Sequence, residues 1–181
     1  SVRAKDNVRL AFELVYPGSE PYESIASWVK QEWAKLGVQV DLRAVTYDEL
    51  LSQYLEPRSF QAALIEVNTA RTPDPDPYPF WHQAQVTNGQ NYSGWDDRQV
   101  SEYLEQARID IDIPERTRMY RNFQVRFGND IPALLLYYPV YTYAISDQVN
   151  GVSMGPFFDP SDRFANINYW YLISGLATPT P

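Results

Sequence analysis

The sequence contains no cysteine. That absence excludes disulfide staples, thiolate metal sites and cysteine nucleophiles, and it leaves the compartment open because many exported proteins also do without the residue. Histidine is almost as scarce: His82 stands alone, and there is no G-x-S-x-G elbow, so a Ser–His–acid triad would have to be built on that one side chain. No apolar run approaches the ~20 residues that a membrane-spanning helix needs. The opening residues SVRAKDN lack the apolar centre of a signal peptide. The expectation is a soluble chain whose export signal lies outside it. Basic runs are missing too. With 15 Lys and Arg against 23 Asp and Glu the formal charge is −8, a field that repels a phosphate backbone and argues against nucleic acid as a partner.

What is present suits a folded domain. A length of 181 residues allows one domain, or one lobe of something larger, with a real core. Apolar residues at 44% and charged residues at 21% lie near the globular average. Aromatics reach 15%, so ring-rich surfaces are expected.

Periodicity gives the order of elements. Residues 8–16 alternate Val8, Leu10, Phe12 and Leu14 against Arg9, Ala11 and Glu13, the pattern of a strand with one buried face. Ser19 is placed as the N-cap of a helix over 20–36 with Pro21 in its first turn. Ile25, Trp28, Val29, Trp33 and Leu36 form its stripe, and Gly37 closes it. Residues 38–45 alternate again, and a strand–helix–strand with so long a connection predicts two parallel strands. A second helix over 47–56 precedes residues 60–68, where the run Ala62–Ile65 predicts a central strand covered on both faces. Further on, Asp96 and Asp112 open two helices. Val100, Tyr103, Leu104, Ala107 and Ile111 face inward on the first, and Met119, Tyr120, Phe123 and Phe127 on the second. Residues 131–145 read as a strand with an edge or bend at Pro139, and 146–154 as a turn and short strand. The tail 173–181, ending ATPTP, is expected to be disordered. The fold class is therefore α/β, with a mixed, partly parallel sheet and helices on both faces.

Between the two halves lies RTPDPDPYPFWHQAQVTNGQNYSGW, residues 71–95, without helical or strand period. Prolines at 73, 75, 77 and 79 fix φ and hold Tyr78, Phe80 and Trp81 on a stiff backbone. The segment follows the C-terminal end of a strand, the end at which open α/β sheets bind ligands. Two readings stay open: a ligand-facing loop with aromatic walls, or a crossing loop whose rings pack a satellite core. Asp74 and Asp76 have D-x-D spacing, but prolines occupy the alternate positions and no calcium-loop pattern follows, so solvated or capping carboxylates are expected instead of a metal site. A histidine in such a loop reads as a hydrogen-bonded structural residue. Hydrolysis by Asp74, Asp76 and His82 remains an alternative, as does an autonomous protein-interaction module that grips its partner with the aromatic loop.

Several phrases in this order resemble one family. They are VRLAFELVYPG, EWAKLGVQVDLRAVTYDELL, DPDPYPFW, NYSGWDDRQVSEYLEQAR, ERTRMYRNFQ, DIPALLLYYPVYTYA and VNGV, spanning roughly residues 8–171. The chain is similar to the dipeptide- and oligopeptide-binding family of extracellular solute-binding proteins, which deliver ligands to ABC importers. The resemblance implies the later lobe of a two-lobed periplasmic binding protein-like (type II) fold, with residues 1–172 as a single lobe and a ligand-facing loop about 69–95. It implies no enzyme activity and no cofactor. It further implies an extracytoplasmic location, periplasmic or cell-surface and membrane-anchored in the full-length parent. The implied partners are a peptide or small-molecule ligand, the N-terminal lobe of the same parent and ABC permease subunits. Thr69, Arg71 and Trp81 are the implied contact residues, with Asn68, Asp76, Asn91 and Tyr92 beside them. One departure stands out. Many peptide binders of this family carry a carboxylate about three residues before the Asp-Pro of this loop, to pair with the ligand's ammonium group. Here that position is Arg71, or Pro73 in the other register. Arg71 offers a forked donor to a carboxylate or a sugar hydroxyl instead.

Overall fold

A computed structural model describes residues 2–68, 76–155, 157 and 159–172. They form two compact units, one of residues 1–67 and 77–132, the other of 68–76 and 133–181.

The first unit opens with a small antiparallel ladder of Ala4–Lys5 (β1) and Val8–Arg9 (β2), turned by Asp6 and Asn7, both at positive φ. The third strand, Ala11–Pro17 (β3), begins only after Leu10. The expected single strand over 8–16 is thus two, and Val8 and Leu10 are exposed instead of facing a core. Helix Tyr22–Lys35 (α1) follows, then strand Gln39–Val45 (β4), which pairs with β3 in parallel from Ala11↔Gln39 to Pro17↔Val45. Helix α1 starts later than expected, with Pro21 in place of Ser19 at the N-cap and no side-chain cap. Its C-terminal end is as expected. Gly37 takes φ +80°, its N–H donates to Ala34 O at 3.0 Å, and Val38 N–H donates to Trp33 O at 3.1 Å, the paired bonds of a Schellman closure.

After β4, helix Tyr47–Glu49 (α2) continues as a π-helical stretch, Leu50–Leu55. A capping box starts it: Thr46 Oγ1 accepts from Glu49 N–H at 3.2 Å, and Glu49 Oε2 accepts from Thr46 N–H and from its hydroxyl, both at 2.9 Å. These bonds, the backbone one first, hold the Glu49 carboxyl below its ordinary pKa. Such a group adds stability above its unfolded pKa and loses it as pH falls through the folded one. Thr46→Ala should therefore cost about 1 kcal/mol at neutral pH. The penalty should shrink on acidification to about pH 3, and melting curves across that range check it.

Strand Ala62–Ala63 (β5) pairs in parallel with β3 on its other side, at Leu14↔Ala62 and Val15↔Ala63, giving the order β4-β3-β5. The central strand is therefore β3, not residues 60–68 as expected. Its own residues explain why: Leu14 and Val15 are adjacent yet both buried, because each face of the sheet is covered. On one face Leu14, Tyr16 and Val40 pack with Ala26 of α1 and with Val38. On the other Val15 packs with Leu50 and Leu55. Within the stripe expected for α1, Val29 and Trp33 do pack on the core, while Trp28 and Leu36 are exposed.

The rest of this unit is helical: Tyr78–Trp81 (α3), Gln85–Asn88 (α4), Arg98–Ile109 (α5) and Ile113–Asp130 (α6). Asp97, not Asp96, caps α5, its Oδ1 accepting from Val100 N–H at 3.0 Å. Val100 and Leu104 of α5 pack on Phe123 of α6, with Tyr120 and Phe127 beside them, as expected. Ile111 falls beyond the end of α5 and is exposed.

The second unit contains strands Val149–Asn150 (β6) and Tyr171–Leu172 (β7), paired antiparallel, with 3-10 turns at Pro160–Phe164 and Ile167–Tyr169. Gly151 sits at φ +78°, where a Cβ would lie 2.2 Å from Tyr169 O, so only glycine fits. Residues 131–145, expected as a strand, pair with no other strand among the described residues. The tail 173–181 lies outside the described residues.

Candidate functional site

The parallel sheet points the C-terminal ends of β3, β4 and β5 the same way. The turns that leave those ends therefore share one edge. At that edge Gly18 N–H donates to Val45 O at 2.7 Å, and an added Cβ on Gly18 would meet Ala44 Cβ at 3.3 Å, so the β3 and β4 exits are held close. Leu64 N–H extends the β5 pairing to Val15 O at 2.9 Å, and two residues on Tyr22 Oη donates to Glu66 Oε2 at 3.1 Å. Asn68 follows and is exposed. Thr69 and Arg71, together with Asp74, lie outside the described residues; Asp76 is half-buried.

Residues 77–95 are far from shapeless. Their first structural anchor is His82, 3% exposed. Its Nδ1 accepts from Ala84 N–H at 3.0 Å, which puts the ring proton on Nε2, and Nε2 donates to Glu105 Oε1 at 2.8 Å. Both nitrogens are spent. Tyr78 stacks on the imidazole at 4.0 Å, and the Arg108 guanidinium covers the outer face of Tyr78 at 4.2 Å. A general base needs a nitrogen that faces a substrate, and this histidine has none. Among the described residues no group of three His, Cys, Asp or Glu side chains is placed to hold a metal ion.

The second anchor is Asn91, fully buried. Its Nδ2 donates to His82 O at 3.2 Å and to Trp95 O at 2.9 Å, while its Oδ1 accepts from Ser93 Oγ at 2.8 Å. One amide therefore ties the start of the loop to its end. Ser101 on α5 adds a further tie, accepting Gln83 N–H at 3.1 Å and donating to Asp97 O at 3.0 Å.

A third anchor went unread in the sequence. Arg58, at φ +58°, donates from Nε to Val86 O at 3.0 Å and from Nη2 to Gly89 O at 2.7 Å, while Nη1 binds Leu55 O. Its guanidinium thus closes the C-terminal ends of the π-helical stretch and of α4 together, where helix carbonyls lack partners. It also lies 4.6 Å over the ring of Tyr92, whose phenol burial pushes above its ordinary pKa. No local pattern announces such a role, because the carbonyls it serves lie up to 31 residues away.

Of the residues expected to touch ligand, three are thus built into the first unit. Trp81 meets Phe127 edge-on at 4.8 Å, Asn91 is the buried clasp, and Tyr92 packs beside Val15, Leu50 and Leu55. The rings of Tyr78 and Trp81 belong to the cluster around Val100, Leu104 and Phe123, the satellite-core alternative for this segment.

Comparison with known proteins bears on the whole chain. No family model matches it. The chain is 24% identical over 169 residues to the oligopeptide-binding protein AppA of Bacillus subtilis, covering 93% of this chain and 30% of that protein. It is 25% identical over 146 residues to the dipeptide-binding protein of Escherichia coli, covering 77% and 27%. Among solved structures, AppA in complex with a nonapeptide superposes with a TM-score of 0.73 at 24% identity, over 96% of this chain and 34% of that one. NikZ of Campylobacter jejuni in complex with Ni(L-His) gives 0.68 at 22% identity, over 92% and 34%. The chain thus spans 27–34% of the length of the proteins it matches. Its homologues and structural neighbours are substrate-binding proteins of ABC transporters, peptide and oligopeptide binders among them, and the chain corresponds to a fragment of them with the type II periplasmic-binding-protein fold.

Proposed function

We propose that residues 1–172 act as the later lobe of a two-lobed extracellular solute-binding protein, which captures a peptide or similar small solute and presents it to an ABC importer. The observation that carries this reading is the likeness to AppA over 96% of the chain. No bond is made or broken in such a mechanism. Energy comes from burying the ligand between lobes, and the closed state is the one a permease would recognise. The buried, doubly bonded His82 speaks against hydrolysis.

Asn68, Thr69, Arg71 and Asp76 form the ligand-facing set in this reading, since the segment that carries them leaves the C-terminal end of β5. Arg71 stands, in one register, where the family resemblance implies an acid, so its forked donor suits a carboxylate or hydroxyl on the ligand. Trp81, Asn91 and Tyr92 shape the adjoining loop. The protein would work outside the cytoplasm, and its partners are the complementary lobe and permease subunits. Among the described residues no helix is long and apolar enough to cross a membrane.

The test is native mass spectrometry of the parent protein from its host, with denaturing extraction of whatever co-purifies and Arg71→Ala in parallel. A small solute bound to the parent and lost in the variant is expected. The 181-residue chain alone should bind the same solute at least tenfold more weakly, because half the burial is missing. A parent that carries nothing yet turns over esters, glycosides or peptides would sink the reading.

A further inference from the structure

Asn88 ends α4, is exposed, and is followed directly by Gly89. In an Asn–Gly pair the backbone nitrogen of the glycine can attack the side-chain amide carbon of the asparagine, since no Cβ obstructs its approach. The attack needs the linking peptide to turn out of its helical setting. Here that setting is one turn of four residues, closed on the linking peptide by Gly89 N–H donating to Gln85 O at 3.1 Å. A helix so short does not hold itself. Its end is held from outside by Arg58, whose Nη2 donates to Gly89 O at 2.7 Å and whose Nε donates to Val86 O at 3.0 Å.

The chain has a second such pair, Asn150–Gly151, and it is held differently. Asn150 pairs with Tyr171 across the β6–β7 ladder, and Gly151, at φ +78°, lies against Tyr169 O. Two segments must part before that peptide can turn, whereas at Asn88 a single turn has to fray.

We propose that Asn88 is a site of spontaneous deamidation and that its conversion releases the Arg58 anchor of residues 77–95. Gly89 N bonds to Asn88 Cγ, the Cγ–Nδ2 bond breaks, and the amide proton of Gly89 leaves with Nδ2 as ammonia. The cyclic imide so formed takes up one water. Opening at the Cγ–N bond gives aspartate, and opening at the backbone C–N bond gives isoaspartate. In the isoaspartyl product the main chain runs through Cβ and Cγ, one atom longer than before. Gly89 N–H and Gly89 O then no longer match Gln85 O and Arg58 together, and the new carboxylate stands at the C-terminal end of α4, among carbonyl oxygens.

The test ages the full-length parent in mildly alkaline buffer beside a synthetic peptide of residues 84–94, and separates aspartyl from isoaspartyl products by digestion and fragmentation in the mass spectrometer. Residue 88 should convert no more than about tenfold more slowly than in the peptide, and at least about threefold faster than residue 150 in the same sample. Conversion slower than either bound would overturn the site. Arg58→Lys keeps the charge and loses the fork, so it should convert faster than the wild type. The N–H groups of Gly89 and Asn91 both donate to Gln85 O. In the converted protein these two amides should exchange hydrogen at least about tenfold faster than in fresh protein. Asn88→Gln, whose longer side chain cyclises far more slowly, should age without that change. A smaller change on conversion, or an Arg58→Lys rate equal to that of the wild type, would overturn the link to Arg58.

Discussion

Replacing Asn91 by alanine is expected to destabilise the unit of residues 1–67 and 77–132 by about 3 kcal/mol. The amide makes three bonds at a fully buried site, donating to two backbone carbonyls and accepting from one hydroxyl. Truncation leaves Trp95 O without that donor, a buried orphan at about 1–3 kcal/mol, and removes one of two donors from His82 O, which keeps Gln85 N–H at 2.9 Å. Asn91→Asp should be worse still, since its carboxylate faces the same two carbonyl oxygens with no proton to give. Urea unfolding gives the number through a shift in midpoint at constant slope. Hydrogen exchange should show residues 82–95 opening first. A loss below about 1 kcal/mol would mean that water replaces the amide, and that Asn91 is not the clasp of this loop.

Arg58→Ala is the second large effect, about 2–3 kcal/mol, because a charge-assisted donor to backbone is worth more than a neutral one. The guanidinium serves carbonyls on two helical ends and covers Tyr92. Arg58→Lys should recover less than half of the loss, since an ammonium on a flexible stem cannot reproduce a planar fork that reaches several acceptors at once. Arg58→Gly separates clamp from backbone. It loses the same bonds, but glycine tolerates φ +58°, so it should be about 1 kcal/mol less harmful than alanine. If alanine and glycine lose equally and lysine restores everything, the contribution is that of a single surface charge.

Both predictions concern residues 77–95 and what anchors them, where a reading of the chain alone stops short. The prolines and aromatics mark a segment without helical period, yet Tyr78–Trp81 and Gln85–Asn88 are short helices within it. Whether Trp81 faces a ligand or Phe127 depends on a helix more than 40 residues further along. Asn91 looks equally suited to bind ligand or backbone until its burial is known. Arg58 carries no local signal at all. Thr69 and Arg71 remain proposals on the strength of their place after β5.

Local physical chemistry settles what it can reach within a few residues. Alternation over 38–45 gives β4, and Gly37 ends α1 because only a residue at ease with positive φ completes that closure. Aspartates start the last two helices to within a residue, and the inward stripe of α6 follows from 3.6-residue spacing. The succession of phrases points to the binding-protein resemblance that the relatives bear out.

Lateral order is another matter. The sequence by itself determined an α/β chain with parallel strands, the inward face of α6 and the binding-protein resemblance, because period and capping are carried by near neighbours. Only the tertiary structure decided that β3 is central and that the aromatic loop is pinned by His82, Asn91 and Arg58. Each of these depends on which distant segment supplies a hydrogen-bonding edge or an apolar face, and a strand's own residues do not say who its neighbour is.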